Sequence, residues 1–241
     1  MPPETSPGTG VAPVLVAREV TKVFAGVTAL REVTVVLRPQ EILGIIGPNG
    51  AGKTTLFNVI TGIFPATRGA IELFGQPITG LSTHQIARLG VARTFQNIRL
   101  FREMTVLENV YLPALCLDRR SNFRKHARDI LDTVGLGKRL NHYPNEVSGG
   151  EQQRAAIARA LINSPKILFA DEPTASLDIT SAQTVLELFK KLNWETGQTI
   201  VMVTHEPEDR RYVDRVIWLK DGLVEKLETD DSASCPAELT V

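Results

Sequence analysis

The sequence predicts an α/β fold: a mainly parallel sheet wound with helices, antiparallel strands at the N-terminal end, and an inserted helical subdomain. Three observations carry this. An apolar, β-branched run, Ile42 to Ile46, passes through a glycine-rich turn into the helical spacing of Thr55 to Ile60. Short apolar runs then alternate with helical patterns, the order that gives parallel strands joined by right-handed crossovers. Between about residues 97 and 146, strand alternation gives way to helical spacing.

Taken in order, residues 1–13 are rich in Pro and Gly and read as a disordered tail. Val14–Val20 and Val33–Leu37 read as strands, with Phe24 in a short loop between them; a core-filling role is the plainer reading of that ring. The turn Gly47-Pro48-Asn49-Gly50-Ala51-Gly52-Lys53-Thr54-Thr55 fits G-x-x-x-x-G-K-[ST] between a strand and a helix. Its glycines let backbone N–H groups curl around a phosphate, and the helix directs its positive end at the same anion. Lys53 adds a cation for the β- and γ-phosphates, and the Thr54 hydroxyl is an oxygen ligand for Mg²⁺. The pattern predicts a nucleotide-binding P-loop core.

Gly69–Phe74 reads as a strand, Gly75-Gln76-Pro77 as a turn, Thr83–Leu89 as a short helix, and Val91–Phe95 as a strand ending at Gln96. Within the inserted subdomain, helical spacing appears in Val106–Leu112 and in Phe123–Val134. Ser148 opens a further helix that Ser164-Pro165 stops. Ile167–Ala170 suits a central strand and ends in Asp171-Glu172. A helix over Thr180–Trp194, a strand over Thr199–Val203 delivering Thr204-His205, and a hairpin of Val213–Leu219 with Leu223–Lys226 complete the domain at about residue 228, before a tail over 229–241.

Asp171 ends an apolar strand, where a P-loop protein places the acid that holds Mg²⁺ through water. Because side chains alternate along a strand, Glu172 faces elsewhere and is placed to polarise a water attacking the γ-phosphate. Gln96 and His205 share the same crevice at strand ends: Gln96 as a Mg²⁺ or water ligand, His205 as a γ-phosphate donor. Ser148-Gly149-Gly150 opens a helix and so offers a second phosphate cradle. One nucleotide needs one cradle. The second makes sense if it closes over a nucleotide held by another copy, in a head-to-tail dimer with two ATP molecules between the subunits.

Composition sets limits. The 241 residues carry 27 basic and 27 acidic side chains and few aromatics, so neither a basic nucleic-acid surface nor a base-stacking platform is indicated. Cys116 and Cys235 stand far apart and support neither a metal site nor a disulfide framework. No apolar run reaches a membrane span, and the N-terminus lacks a signal-like pattern. A P-loop kinase or GTPase would need an acceptor site or an N-K-x-D motif, neither of which is visible.

In order, these motifs resemble the nucleotide-binding subunits of ABC transporters, over about Val14 to Lys226. Gly47–Thr55 corresponds to Walker A, Gln96 to the Q-loop glutamine, Val147–Glu151 to the signature, Ile167–Glu172 to Walker B with its glutamate, Ala175–Asp178 to the D-loop, and His205 to the switch histidine. Val147 and Glu151 depart from the usual Leu and Gln. Phe24 falls where the family stacks an aromatic on adenine. The resemblance implies an ATPase at the cytoplasmic face of the membrane, paired as a homodimer or heterodimer and docked near Gln96 on integral permease subunits, without touching the transported substrate. Soluble cassette ATPases of DNA repair or translation carry long coiled-coil insertions or paired cassettes, which this chain lacks. Gly47–Asn58 and Arg93–Phe101 resemble branched-chain amino-acid importer ATPases. Tyr143–Arg154 and Ala170–Thr174 resemble the lipoprotein-release and macrolide-efflux type, and the stretch from Gln96 to the signature is short for an amino-acid importer.

Overall fold

The computed structural model describes residues 12–94, 100–115 and 122–229. Gln96, Cys116, Cys235 and nearly all of both expected tails lie outside these residues.

Ten strands and six α-helices are numbered along the chain among the described residues. An antiparallel sheet has the order β2-β1-β4-β5, from β1 (Leu15–Phe24), β2 (Val27–Leu37), β4 (Arg68–Leu73) and β5 (Gln76–Pro77). A second sheet has β3 (Ile42–Ile46), β6 (Val91–Thr94), β7 (Ile167–Asp171), β8 (Thr199–Thr204), β9 (Arg215–Lys220) and β10 (Leu223–Thr229), ordered β10-β9-β3-β8-β7-β6. All neighbours in it pair in parallel except β10, which returns antiparallel along β9. The helices are α1 (Lys53–Ile60), α2 (Thr83–Arg88), α3 (Val106–Leu115), α4 (Phe123–Thr133), α5 (Gly149–Leu161) and α6 (Ile179–Thr196).

Strand alternation divides the interior into two cores. Leu43 and Ile45 of β3, Ile167 and Phe169 of β7, and Val201 and Val203 of β8 face α1 and the antiparallel sheet beyond it. Their neighbours Ile42, Ile46, Leu168, Ala170, Ile200 and Met202 face α5 and α6 and the helical subdomain. Phe57 of α1 meets Phe169 edge to face at 5.0 Å between centroids, a pairing that adds about 1 kcal/mol beyond buried area. Continuing the alternation puts Asp171 on the α1 side, while Glu172 leaves the strand at φ 43. Such left-handed backbone is costly for a non-glycine residue and is held here by its N–H donating to Val203 O at 2.9 Å.

In the helical subdomain, α3 packs on α4 and on α5, and α5 also packs on α6 and β6. The fully buried Asn109 joins α3 to its lead-in, its Nδ2 donating to Phe101 O, Met104 O and Thr105 O at 3.0 Å each.

Four details differ from the sequence expectation. Phe24 ends β1 and lies outside any loop, because Ala25 and Gly26, both at positive φ, make a two-residue hairpin turn to Val27. β2 begins six residues before Val33, its pattern broken by irregular register and by Glu32 at positive φ. Gln76-Pro77 pairs with β4 as a short strand. Val213 follows a 3₁₀ turn, Pro207–Tyr212, and β9 starts at Arg215.

Candidate functional site

The glycine-rich turn leaves β3 and enters α1 with Gly52 as N-cap, at φ 100. A Cβ at Gly52 would lie 2.7 Å from Ala29 O, and one at Gly47 would lie 2.1 Å from Leu219 O, so the turn is seated against two other strands. Pro48, Asn49, Gly50 and Thr54 face solvent, Ala51 is buried, and Thr55 is half-buried. Lys53 is buried, its Nζ donating to Gly47 O at 2.7 Å and Pro48 O at 3.0 Å. Burial pulls its ammonium below the usual lysine range, against the opposing pull of Glu172 and Asp171.

Two carboxylates and an imidazole meet this lysine at the C-terminal ends of β3, β7 and β8. Glu172 lies 3.9 Å from Lys53 Nζ through Oε1 and 3.5 Å from His205 Nδ1 through Oε2. The other ring nitrogen of His205 lies 3.1 Å from Glu206 Oε1. Asp171 is buried. Its Oδ2 accepts from Arg93 at 2.5 Å, and its Oδ1 has no hydrogen-bond partner among the described residues. A hydroxyl and a carboxylate form the hard oxygen set that suits Mg²⁺, and a buried carboxylate oxygen with a vacant lone pair fits a water on such an ion. Among the described residues no group of three His, Cys, Asp or Glu side chains gathers to hold a metal ion. Gln96, the third expected metal ligand, lies outside the described residues.

The second expected cradle is built differently. Ser148 is the N-cap of α5 in a capping box: its Oγ accepts from Glu151 N at 3.2 Å, and Ser148 N donates to Glu151 Oε2 at 2.8 Å. Arg139 Nε donates to Glu151 Oε1 at 2.9 Å. The Ser148 N–H, then Arg139, hold the Glu151 carboxyl below the usual range. The first N–H groups of a helix have no intrahelical partner, and among the described residues those of Gly149 and Gly150 have no backbone acceptor outside it either. Gly150 packs against α6, where a Cβ would lie 2.8 Å from Ser181. Asp178 caps α6 by accepting from Ser181 N at 3.0 Å. No hydrogen bond or ion pair joins this turn to Gly47–Thr55 among the described residues.

Thus Lys53, Asp171, Glu172 and His205 converge, whereas Ser148, Gly149, Gly150 and Asp178 form a separate cluster. Phe24 stands on the β1–β2 hairpin, 37% exposed, with Phe64 edge-on at 5.3 Å and Lys22 Nζ 4.7 Å from its ring centre. Sequence reasoning missed Arg93, whose partner Asp171 is 78 residues away, and Arg139, which reaches Glu151 across the turns before α5. It also missed Asp209, a buried acid that accepts from Thr204 Oγ1 at 2.7 Å beside His205 and whose carboxyl burial pushes up. Arg139 and Asp209 lie outside every motif singled out above, and Arg93 entered only within the strand Val91–Phe95 and as the first residue of Arg93–Phe101.

A model of the ABC transporter family matches residues 30–175. The chain belongs to that family. As a cassette it is 42% identical over 214 residues to an ABC transporter ATP-binding protein of Methanocaldococcus jannaschii, covering 86% of this chain and 95% of the relative. It is 43% identical over 201 residues to the macrolide export ATP-binding/permease protein MacB of Rhodopirellula baltica, covering 81% of this chain but only 29% of that protein. Against the methionine import ATP-binding protein MetN of Nocardia farcinica it is 40% identical over 234 residues, covering 93% and 70%. Among solved structures, an ABC transporter cassette in its ADP conformation superposes with a TM-score of 0.85 at 27% identity, covering 91% of this cassette and 92% of that chain. A dimeric bacterial ABC transporter cassette gives 0.80 at 37% identity, covering 89% and 98%. Membership makes the chain an ATP-hydrolysing cassette with the P-loop NTPase fold read from its sequence.

Proposed function

We propose that this cassette energises transport through a membrane permease by hydrolysing MgATP at sites shared between two cassettes. The observation that carries the reading is the convergence of Lys53, Glu172 and His205, with Glu172 3.9 Å from the lysine and 3.5 Å from the histidine. Lys53 and the turn Asn49–Thr55 hold the β- and γ-phosphates. Thr54 and Asp171, with Gln96, would hold Mg²⁺, which supplies charge neutralisation of the phosphates. Glu172 takes the proton of the attacking water, and His205 donates to the γ-phosphate. Phe24 meets the adenine. The Ser148 hydroxyl and the N–H groups of Gly149 and Gly150 of a second cassette close over the same phosphate, and Asp178 lies at that seam. ATP binds the closed pair better than the open one, and that difference in affinity drives the motion.

A cleft of about 660 Å³ opens between β6, α2, α3 and α5, with Thr61, Phe101, Leu112, Pro113 and Arg159 in its walls. Its mostly apolar wall, next to the strand that leads to Gln96, supports docking of a permease segment there. The cargo reading rests on Gly47–Asn58 and Arg93–Phe101, of which Arg93, Thr94 and Phe101 border this cleft: branched-chain amino-acid uptake. Efflux or lipoprotein release is the second reading, supported by the signature segment Tyr143–Arg154 and by the MacB relatives. The site is tested by mixing two inactive variants, Lys53→Ala and Ser148→Arg. A mixed pair retains one intact composite site, so ATPase activity returns on mixing. Two variants that stay inactive together, with wild type active under the same conditions, would contradict shared sites.

A further inference from the structure

We propose that Arg93 is a positioning residue for the metal-site acid: it fixes the orientation of Asp171 and thereby sets the divalent-cation affinity of the nucleotide site. The proposal rests on the reading of Asp171 as the Mg²⁺-side carboxylate and extends it to a residue outside the motifs.

The geometry is specific. β6 and β7 are neighbours in parallel, with Arg93 opposite Phe169, and both Arg93 and Asp171 point to the α1 side of the sheet. One terminal nitrogen of Arg93 donates to Asp171 Oδ2 at 2.5 Å. The other donates to Asn58 Oδ1 at 2.6 Å and Thr61 Oγ1 at 3.2 Å, both on or just after α1. The guanidinium carbon lies 5.7 Å from the Phe57 ring centre. A planar fork held at both prongs and beside a ring has little freedom, which an ammonium in its place would retain. Asp171 therefore cannot turn about its carboxyl axis without losing the Arg93 bond. One oxygen is committed to the arginine, and the direction of Oδ1, buried and without a partner among the described residues, follows.

Both side chains are nearly buried, at 10% and 4% exposure. Burying such a pair costs desolvation that Coulomb attraction only partly returns, and an apolar pair would pack the same space as well. Orientation of an acid that must meet an ion is a role an apolar pair could not fill. Arg93 also borders the cleft described above, so the contact that orients the acid lies directly behind the proposed docking surface.

The experiment measures Mn²⁺ binding by electron paramagnetic resonance on the purified full chain loaded with a non-hydrolysable ATP analogue, together with analogue binding in EDTA. Wild type, Arg93→Met, Arg93→Lys and Asp171→Asn are compared. Arg93→Met should weaken Mn²⁺ binding about 10- to 100-fold, as removal of a ligand's orienting partner does. Arg93→Lys should fall between, with analogue binding in EDTA unchanged in each. If Arg93→Met fails to fold, Arg93→Lys carries the test. Wild-type or tighter Mn²⁺ binding in the arginine variants, or an equal loss of analogue binding in EDTA, overturns the positioning role. If Asp171→Asn also binds Mn²⁺ like wild type, the fault lies in the metal-site reading.

Discussion

The two turns proposed as phosphate cradles are built on opposite principles. The one at Gly47–Thr55 is seated: two of its glycines abut backbone carbonyls of other strands, and its lysine is buried among loop carbonyls and acids. The one at Ser148–Gly150 is presented: its serine and its first glycine face solvent at the head of α5, while its own Glu151 and Arg139 satisfy the cap. A seated cradle organises chemistry within one chain. The presented turn is capped by its own side chains, and in the proposed reading its Gly149 and Gly150 N–H groups meet a partner's phosphate. The difference teaches how one chain can supply both halves of a composite site without closing on itself.

The largest effect separates chemistry from binding in the seated cradle. Glu172→Gln should cut ATP turnover by about 10² to 10⁴, the usual worth of a general base, while nucleotide binding persists. Phosphate release and equilibrium binding of ATP read the two parts. Equal losses in both would remove Glu172 from the proton-transfer role.

Next, a methyl group distinguishes the cradles. Gly52→Ala puts a Cβ at φ 100, 2.7 Å from Ala29 O, and should cost about 1–3 kcal/mol of stability with loss of ATP binding by the single chain. Among the described residues Gly149→Ala meets only Leu177 Cδ2, at 3.7 Å, and should leave melting temperature and single-chain binding unchanged. It should still lower the ATPase activity that depends on pairing. A Gly149→Ala chain that binds ATP poorly on its own would dissolve the distinction.

The smallest effect concerns the cap of the presented cradle. Glu151→Gln keeps a capping-box acceptor but loses the charge that meets Arg139, and should cost about 0.3–1 kcal/mol at neutral pH. The Glu151 carboxyl is held below its ordinary value by the Ser148 N–H and Arg139. Its ionised form is therefore favoured in the folded state. That contribution is complete above the unfolded value of about 4.3 and is lost as pH falls through the folded one. Urea midpoints of wild type and variant should thus converge in acid.

Much of this was legible in the sequence because local patterns encode it. The strand–turn–helix of Ile42–Ile60, the acid pair at the end of Ile167–Ala170 and the Ser148 cap each lie in one short continuous stretch. Strand limits near Phe24 and Val33 were missed because bulges at Glu19 and Glu32 break the two-residue period. The Arg93–Asp171 pair was not legible either, since 78 residues separate its members. Glu151 was read as a mild departure from the family pattern. Only the fold brings Arg139 beside it and shows what the carboxylate does.

The measurement that bears most directly on the two-cradle account is the mass of Glu172→Gln by light scattering after gel filtration, with and without MgATP. The account predicts a monomer without nucleotide, a dimer with it, and no dimer when Ser148→Arg is added. A chain that binds ATP tightly yet stays monomeric, or a dimer that survives Ser148→Arg, would contradict it.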